Sequence, residues 1–149
     1  MNATSAVDEG GFSDAERAAM KQRADELRAQ KGVKGAAKRE RELQACVDAI
    51  AELPDTDRRI AERFHTIVAE EAPHLDPKTW YGFPSYAADG KVVTFVQPAS
   101  KFDTRYTTIG FNEDAALDDG SMWATAFAVL EVTPEVEARL RDLVRRAAA

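Results

Sequence analysis

Hydrophobic residues recur with the period of an α-helix in three parts of the chain, and each part predicts a helix with one face in the core. These parts are residues 37–52, residues 56–71 and the stretch that follows Thr133-Pro134. In the first part, Leu43, Val47 and Ile50 form the expected inward stripe. Residues 13–30 begin with a Ser-x-x-Glu capping pattern but carry mostly alanine on their apolar face. We therefore expect residues 13–30 to form an appended helix that adds little to the core.

From residue 80 onward the hydrophobic period changes to two, which predicts strands. The predicted strands are Ser85–Ala87, Lys91–Gln97, Thr104–Phe111 and Trp123–Val132. Asp89-Gly90, between the first two, favours a tight β-hairpin. Because the strands are consecutive and the helices lie at the two ends, we predict an α+β fold. In this fold an antiparallel sheet of about four strands packs against N- and C-terminal helices.

Glycine and lysine are concentrated in residues 31–38, KGVKGAAK, and this composition predicts a linker. We therefore divide the chain into two predicted parts. Residues 1–36 comprise a flexible N-terminus, the appended helix and the linker, whereas residues 37–149 form the α+β domain.

Composition narrows the classes of function. The chain has 149 residues, of which 44% are hydrophobic and 31% charged, and its net charge is −6. This charge argues against nucleic acid as a partner, because phosphate backbones are bound by clustered Lys and Arg. The apolar runs are too short to cross a membrane, and no leader pattern opens the chain. A single cysteine fits a reducing compartment, so we expect a soluble, cytoplasmic protein.

Aromatic residues dominate the predicted strands, and one group of them suggests a binding site. A sheet of this size needs aromatic residues in its core, which explains most of them. Core packing explains the stretch Trp80–Pro84 less well. Here Gly82 and Pro84, which interrupt helices and strands, stand among three aromatic residues. This combination predicts a fixed turn beside a pocket. The candidate ligand-binding residues around this turn are Trp80, Tyr81, Tyr86, Lys101, Tyr106 and Trp123.

Carboxylates form two further groups, and oxygen ligands of this kind suit hard cations, including iron. One group ends the third predicted helix and the other precedes the last strand. The candidate metal ligands are Glu70, Glu71, Glu113, Asp114, Asp118 and Asp119. The alternative is that these are surface charges, some of which favour the start of a short helix.

The sequence contains no known motif of catalytic residues, so we expect a protein that is not an enzyme. Cys46 lies beside the predicted apolar stripe and is expected to act as a small hydrophobic residue. A pairing between Cys46 and His65 is the alternative. The sequence has only two histidines and no pair at zinc-ligand spacing, which argues against a zinc site.

The stretch KTWYGFPSY at residues 78–86, followed by DGKVV at residues 89–93, resembles the YdhG-like family of small domains of unknown function. The resemblance covers about residues 43–146 and continues through Gly110-Phe111 to Trp123. It implies an α+β fold with an antiparallel sheet. Some members of that family are described as frataxin-like intracellular iron chaperones.

Two functions are therefore expected from the sequence. The resemblance implies an iron-binding chaperone that holds iron through surface carboxylates and delivers it to an accepting protein. The alternative is a non-enzymatic module that binds a small ligand or a partner at the Trp80–Pro84 turn. In the first case iron is the candidate cofactor, and in the second no cofactor is expected.

Overall fold

Amphipathic spacing and N-terminal capping produce the helices of the fold. The computed structural model describes residues 11–30 and 35–149. Within these residues the helices are α1 (Asp14–Gln30), α2 (Gly35–Ala51), α3 (Asp55–Glu71), α4 (Ala99–Phe102) and α5 (Pro134–Ala147). The predicted capping box is confirmed, because Ser13 and Glu16 exchange hydrogen bonds of 2.9 and 3.1 Å. At the start of α5 the Thr133 hydroxyl accepts a hydrogen bond of 3.2 Å from the amide of Val136.

Five strands form one antiparallel sheet in this part of the chain. They are β1 (Asp76–Trp80), β2 (Phe83–Ala88), β3 (Lys91–Gln97), β4 (Thr107–Phe111) and β5 (Ala126–Val129). Their order in the sheet is the order in the sequence, so each strand pairs with its neighbours along the chain. The predicted α+β fold with an antiparallel sheet and terminal helices is thereby confirmed.

We expected about four strands and the sheet has five, because β1 was not predicted. Its sequence, Asp76-Pro77-Lys78-Thr79-Trp80, contains a proline and two charged residues and lacks the alternation of a half-buried strand. Such a sequence is acceptable at the edge of a sheet, where one row of backbone groups needs no strand partner. β1 forms a strand because its backbone pairs with β2, although its own sequence lacks the pattern of a strand.

Three helices cover one face of the sheet, which we call the inner face, and enclose the hydrophobic core. Phe64, Ile67, Val96 and Ile109 are each 0% exposed, and Val144 of α5 is 1% exposed. The core cluster takes members from α2, α3 and α5 and from the strands β2 to β5. The predicted inward faces of α3 and α5 are therefore confirmed.

The predicted inward stripe of α2 is wrong in part. Ile50 is buried, but Leu43 and Val47 are 39% and 41% exposed, and the buried stripe runs instead through Cys46. The reason lies in β1, against which α2 packs. Glu42, one turn before Cys46, forms an ion pair of 3.5 Å with Lys78 of β1 and so turns this side of α2 toward the strand.

Two predicted strands are longer than the strands that form. Residues 104–106 precede β4 without pairing, and the residues just before them form α4. The carboxylate of Asp57 holds α4 in place, because it accepts hydrogen bonds from the amide of Ser100, at 2.9 Å, and from the hydroxyl of Thr107, at 3.1 Å. The strand predicted over residues 123–132 is reduced to Ala126–Val129, which pair with β4, and Thr125 accepts one further backbone hydrogen bond of 2.7 Å from Phe111.

The predicted linker is described only in part. Residues 31–34 lie outside the described residues, as do residues 1–10. Residues 35 and 36, predicted as linker, instead form the start of α2, and residues 37 and 38, which lay in both the predicted linker and the predicted helix, are helical. The division of the chain at residue 36 stays a prediction.

Candidate functional site

The turn at Tyr81-Gly82 is a two-residue hairpin loop that joins β1 to β2. Both residues have positive φ, 54° for Tyr81 and 83° for Gly82, as tight hairpins of the primed types require. The sequence predicted a fixed turn here, and the structure identifies it as this hairpin. The end of the Gln22 side chain from α1 lies in the space beside Gly82 that a Cβ atom would fill, so α1 approaches the hairpin closely at this point.

Five aromatic side chains around this hairpin form a continuous cluster that we call the aromatic platform. Ring centroids lie 5.7 Å apart for Trp80 and Phe83, 5.5 Å for Phe83 and Phe95, and 5.8 Å for Phe83 and Phe102. Tyr81 completes the platform, with its ring centroid 5.1 Å from that of Trp80. These are edge-on or tilted contacts in the distance range of favourable aromatic pairs.

The aromatic platform lies on the outer face of the sheet, opposite the core. Trp80 pairs with Phe83, and Phe95 pairs with Ser85 and Gly110, and residues paired across antiparallel strands share a face. Phe83 is only 4% exposed, yet it is not a member of the core cluster. The platform is therefore a second apolar region, separate from the core.

Gly110 leaves the space that one ring of the platform occupies. A Cβ atom at position 110 would lie 2.3 Å from Cζ of Phe95, which is closer than van der Waals contact allows. The ring of Phe95 therefore lies directly over the backbone of β4 and can reach Phe83 only because position 110 has no side chain.

Helix α1 covers the aromatic platform and is attached to it by a carboxylate. The amides of Tyr81 and Gly82 donate hydrogen bonds of 3.2 and 3.0 Å to the two carboxylate oxygens of Glu26. Arg23 lies 3.3 Å from the same carboxylate. Ala19, seven residues before Glu26 and thus on the same face of the helix, is 4% exposed.

A cleft of about 370 Å³ remains between α1 and the platform. Apolar side chains supply most of its walls. Its lining residues are Phe12, Glu16, Ala19, Met20, Trp80, Tyr81, Phe83, Phe95, Gln97 and Phe102. Several of the aromatic rings in this wall are only half-buried, so the cleft offers accessible aromatic surface.

The structure brings some of the predicted ligand-binding residues together and separates others. Trp80 and Tyr81 belong to the platform, and the side chain of Lys101 approaches Gly82. Tyr106 is half-buried just before β4, where the guanidinium of Arg105 lies 5.3 Å from its ring centroid. Trp123 is 39% exposed in the connection between β4 and β5. Tyr106 and Trp123 thus lie outside the platform.

Tyr86, another predicted ligand-binding residue, lies in the core on the inner face. It is 0% exposed, and its hydroxyl is 2.9 Å from Nδ1 of His65. Burial raises the pKa of Tyr86 well above its usual value and raises the pKa of the Cys46 thiol to about 11. A hydrogen bond links Cys46 to Tyr86, so Cys46 and His65 meet through the tyrosine rather than directly. The buried thiol is neutral at physiological pH, as expected of a small hydrophobic residue.

The carboxylates of the first group, at the end of α3, form ion pairs with arginines of α5. Arg141 lies 2.9 Å from both Glu70 and Glu71, and Arg145 lies 3.2 Å from Glu71. Arg141 also pairs with Glu137, and hydrogen bonds from Arg63 and Arg141 lower the pKa of Glu137. Glu70 and Glu71 therefore join α3 to α5 through arginines.

The second carboxylate group, which we call the acidic connection, lies between β4 and β5. All four of its members are exposed, and the buried residues Ala115 and Leu117 separate them into two pairs. The members are Glu113, Asp114, Asp118 and Asp119. Across residues 11–30 and 35–149, no group of three or more His, Cys, Asp or Glu side chains is arranged to hold a metal ion. Iron binding stays a prediction.

Two residues of this site were not identified from the sequence. Glu26 is one of several acidic residues in α1, and no local pattern distinguishes it from the neighbouring Asp25. Gly110 carried a signal, because a glycine within an alternating strand indicates close approach of another group. What approaches it, the ring of Phe95, follows only from the pairing of β3 with β4.

Comparison with known proteins gives no match: no family model, no curated protein and no solved structure is similar to the chain at a significant level. The resemblance to the YdhG-like family therefore stays a prediction. Within the described ranges, no helix has both the length and the apolar character needed to cross a membrane.

Proposed function

We propose that this protein is a non-enzymatic binding module whose aromatic platform binds α-helical segments. The observation that carries the proposal is the position of α1, which already lies on the platform as an intramolecular occupant. The outer face of the sheet thus presents an apolar surface of rings next to two backbone amides that donate hydrogen bonds. A helix with a small side chain and a carboxylate on one face complements this surface.

The polar part of this recognition is a carboxylate bound by the hairpin. The amides of Tyr81 and Gly82 both point toward the carboxylate of Glu26, to which they donate hydrogen bonds of 3.2 and 3.0 Å. A carboxylate that accepts from both amides forms two charge-assisted hydrogen bonds, which are stronger than neutral ones. The contact depends on backbone geometry, so any helix that places a Glu here would make it.

The apolar contact between α1 and the aromatic platform is incomplete, which favours the replacement of α1 by another helix. Of the hydrophobic side chains that α1 carries, only Ala19 is buried, whereas Met20 and Leu27 are 38% and 50% exposed. A helix held by so small an apolar contact is weakly bound. Aromatic side chains are enriched among the residues that dominate binding energy at interfaces. A partner helix with larger apolar side chains would fill the cleft better than α1 does.

The test uses a labelled peptide with the sequence of residues 12–30 and the full-length protein. An Ala19→Lys variant should release α1, because a lysine cannot be buried against the rings. We expect this variant to bind the peptide about tenfold more tightly than wild type, measured by fluorescence anisotropy, since α1 no longer competes. A peptide with Glu26→Gln should bind less tightly than the unmodified peptide, because it loses the charge at the two amides.

Trp80→Ala in the Ala19→Lys background should abolish peptide binding. The matched control is Trp123→Ala, which removes the other tryptophan of the chain at a position outside the platform. If both tryptophan variants bind the peptide equally, or if the Ala19→Lys variant does not bind it at all, the platform is not a helix-binding surface.

The iron-chaperone hypothesis makes a separate prediction for the same protein. Glu70 and Glu71 are engaged by arginines, so iron bound through carboxylates is expected at the acidic connection, with an affinity on the order of micromolar. Anaerobic calorimetry with ferrous ion tests this in wild type and in two variants. Neutralising the acidic connection to Asn and Gln should abolish binding, whereas Glu70→Gln with Glu71→Gln should not. Absence of binding in wild type would remove the hypothesis.

A further inference from the structure

The edge of the sheet at β5 has backbone groups without a strand partner. β5 is the last strand in the sheet order and pairs with β4 on one side only. Among the residues that the structure describes, no backbone group other than those of β4 pairs with Ala126–Val129. The opposite edge differs, because α2 packs against β1 and Glu42 forms an ion pair with Lys78 there. A helix therefore packs on the strand at one edge of the sheet, whereas no helix of the described residues packs to a comparable extent on β5.

The residues at the β5 edge lack the features that normally prevent a strand from pairing with another chain. Proteins protect open edges with charged residues, proline or bulges, and β1 contains both Pro77 and Lys78. Residues 121–130, SMWATAFAVL, contain no charge and no proline, although 31% of the chain is charged. Met122 and Leu130 are 87% and 69% exposed. The β5 edge is thus an exposed, uncharged and partly apolar segment of an otherwise highly charged protein.

The two ends of the β5 edge differ in charge. The connection from the end of β4 to the N-terminal end of β5 carries the exposed Asp118 and Asp119, so acidic side chains lie toward this end of the sheet. At the C-terminal end four charged residues and Leu130 line one groove, and the charges balance. These residues are Arg59, Glu62, Arg63 and Glu131. A segment that lies along the edge therefore meets negative charge at one end only.

We propose that the β5 edge binds an extended segment of another protein, which adds to the sheet as a sixth, antiparallel strand. The segment has an uncharged centre rich in β-branched residues, followed by Lys or Arg at its C-terminal end. The antiparallel direction continues the pattern of the whole sheet and brings the C-terminal end of the segment to Asp118 and Asp119. Main-chain hydrogen bonds provide affinity, and the basic end determines orientation.

A second copy of this chain is a poorer occupant of the same edge. Antiparallel pairing of β5 with its own copy would bring Glu131 of each copy toward Asp118 and Asp119 of the other. It would also bring together two proteins that each have a net charge of −6. Like charges at both ends of the paired strands oppose self-association and favour a basic partner.

The experiment uses the full-length protein and three synthetic peptides with the same Thr-Val-Thr-Val-Thr centre. One peptide ends in Lys-Lys, one ends in Glu-Glu and one begins with Lys-Lys. We expect the first to bind about tenfold more tightly than either of the others, measured by anisotropy of a labelled peptide. Amide hydrogen exchange should show that this peptide protects residues 125–130.

Two variants locate the site, and each changes exposed residues so that the fold is retained. Asp118→Asn with Asp119→Asn should abolish the preference for the Lys-Lys end, whereas the matched control Glu113→Gln with Asp114→Asn should keep it. Met122→Lys places a charge at the edge and should weaken the binding of all three peptides. Equal binding of the three peptides by wild type, or no protection of residues 125–130, would overturn the proposal. Protection that depends on protein concentration without peptide would identify a second copy as the occupant instead.

Discussion

The two faces of the sheet are both rich in large hydrophobic side chains, but they are covered in different ways. On the inner face, Tyr86 is 0% exposed beneath three helices, and Phe64 of α3, which packs against it, is also 0% exposed. On the outer face the aromatic platform lies under α1, whose apolar face consists mostly of alanine. The comparison teaches that a strand can present apolar residues to both faces while the covering helices decide which face becomes the core. The face with the poorer cover is the one available for binding.

The largest effect is expected from a change on the inner face. Phe64→Ala removes a fully buried ring that packs against Tyr86 at a centroid distance of 5.8 Å, so it should lower the free energy of unfolding by about 3–5 kcal/mol. The matched variant on the outer face is Phe102→Ala, which removes a half-buried ring and should cost clearly less. Urea denaturation measures both. Equal losses would mean that the two faces contribute alike and would contradict the comparison.

The next effect is expected at the point where the platform rests on the sheet. Gly110→Ala places a Cβ atom in the space of the Phe95 ring and should cost about 1–3 kcal/mol by overpacking. Combining it with Phe95→Ala removes the clash. The double variant should therefore be more stable than the sum of the two single changes predicts. Simple additivity in a double-mutant cycle would show that the ring does not rest on Gly110.

Removal of residues 1–34 should have a smaller effect than either change, because α1 buries little apolar surface. We expect a loss of about 1 kcal/mol, or about 3 °C in the midpoint of thermal unfolding. In a Trp123→Phe background, Trp80 is the remaining tryptophan, and its emission should shift to the red as the platform becomes exposed. An insoluble or unfolded product would show that α1 belongs to the core after all.

The smallest effect is expected from the hydrogen-bonded pair formed by the half-buried His65 of α3 and the buried Tyr86 on the inner face. Burial lowers the pKa of His65 below its ordinary value, so the unfolded chain binds a proton at higher pH than the folded protein does. The stability linked to this group is complete above about pH 6.5 and is lost as pH falls toward the lower pKa of the folded state.

His65→Gln keeps a polar partner for Tyr86 and should make stability less dependent on pH in this range. His74→Gln changes the other histidine and serves as the control. Thermal unfolding at pH 7.5 and pH 5.5 measures the difference. Identical pH dependence in wild type and His65→Gln would show that proton binding by His65 is not linked to folding.

The local pattern of the sequence determined the four long helices and most of the strands, but not the short helix α4. The limits of β3, Lys91–Gln97, were predicted as they are found, because the Asp89-Gly90 hairpin marks the beginning of the strand and Pro98 follows its end. Helices α3 and α5 were placed with the correct inward faces. In these elements the period of the apolar residues indicates which face is buried, whichever element later packs against it, so short-range periodicity contains the necessary information.

Tertiary packing decided which aromatic residues form the candidate site. Trp80 and Tyr86 are six residues apart and have similar chemistry, yet one lies on the outer face and the other is in the core. The register of β1 with β2 makes this separation, and β1 itself was not evident from its sequence. The role of Glu26 depends on contacts with amides more than fifty residues away. Contacts of this range arise from the arrangement of whole elements, which no local pattern of residues encodes.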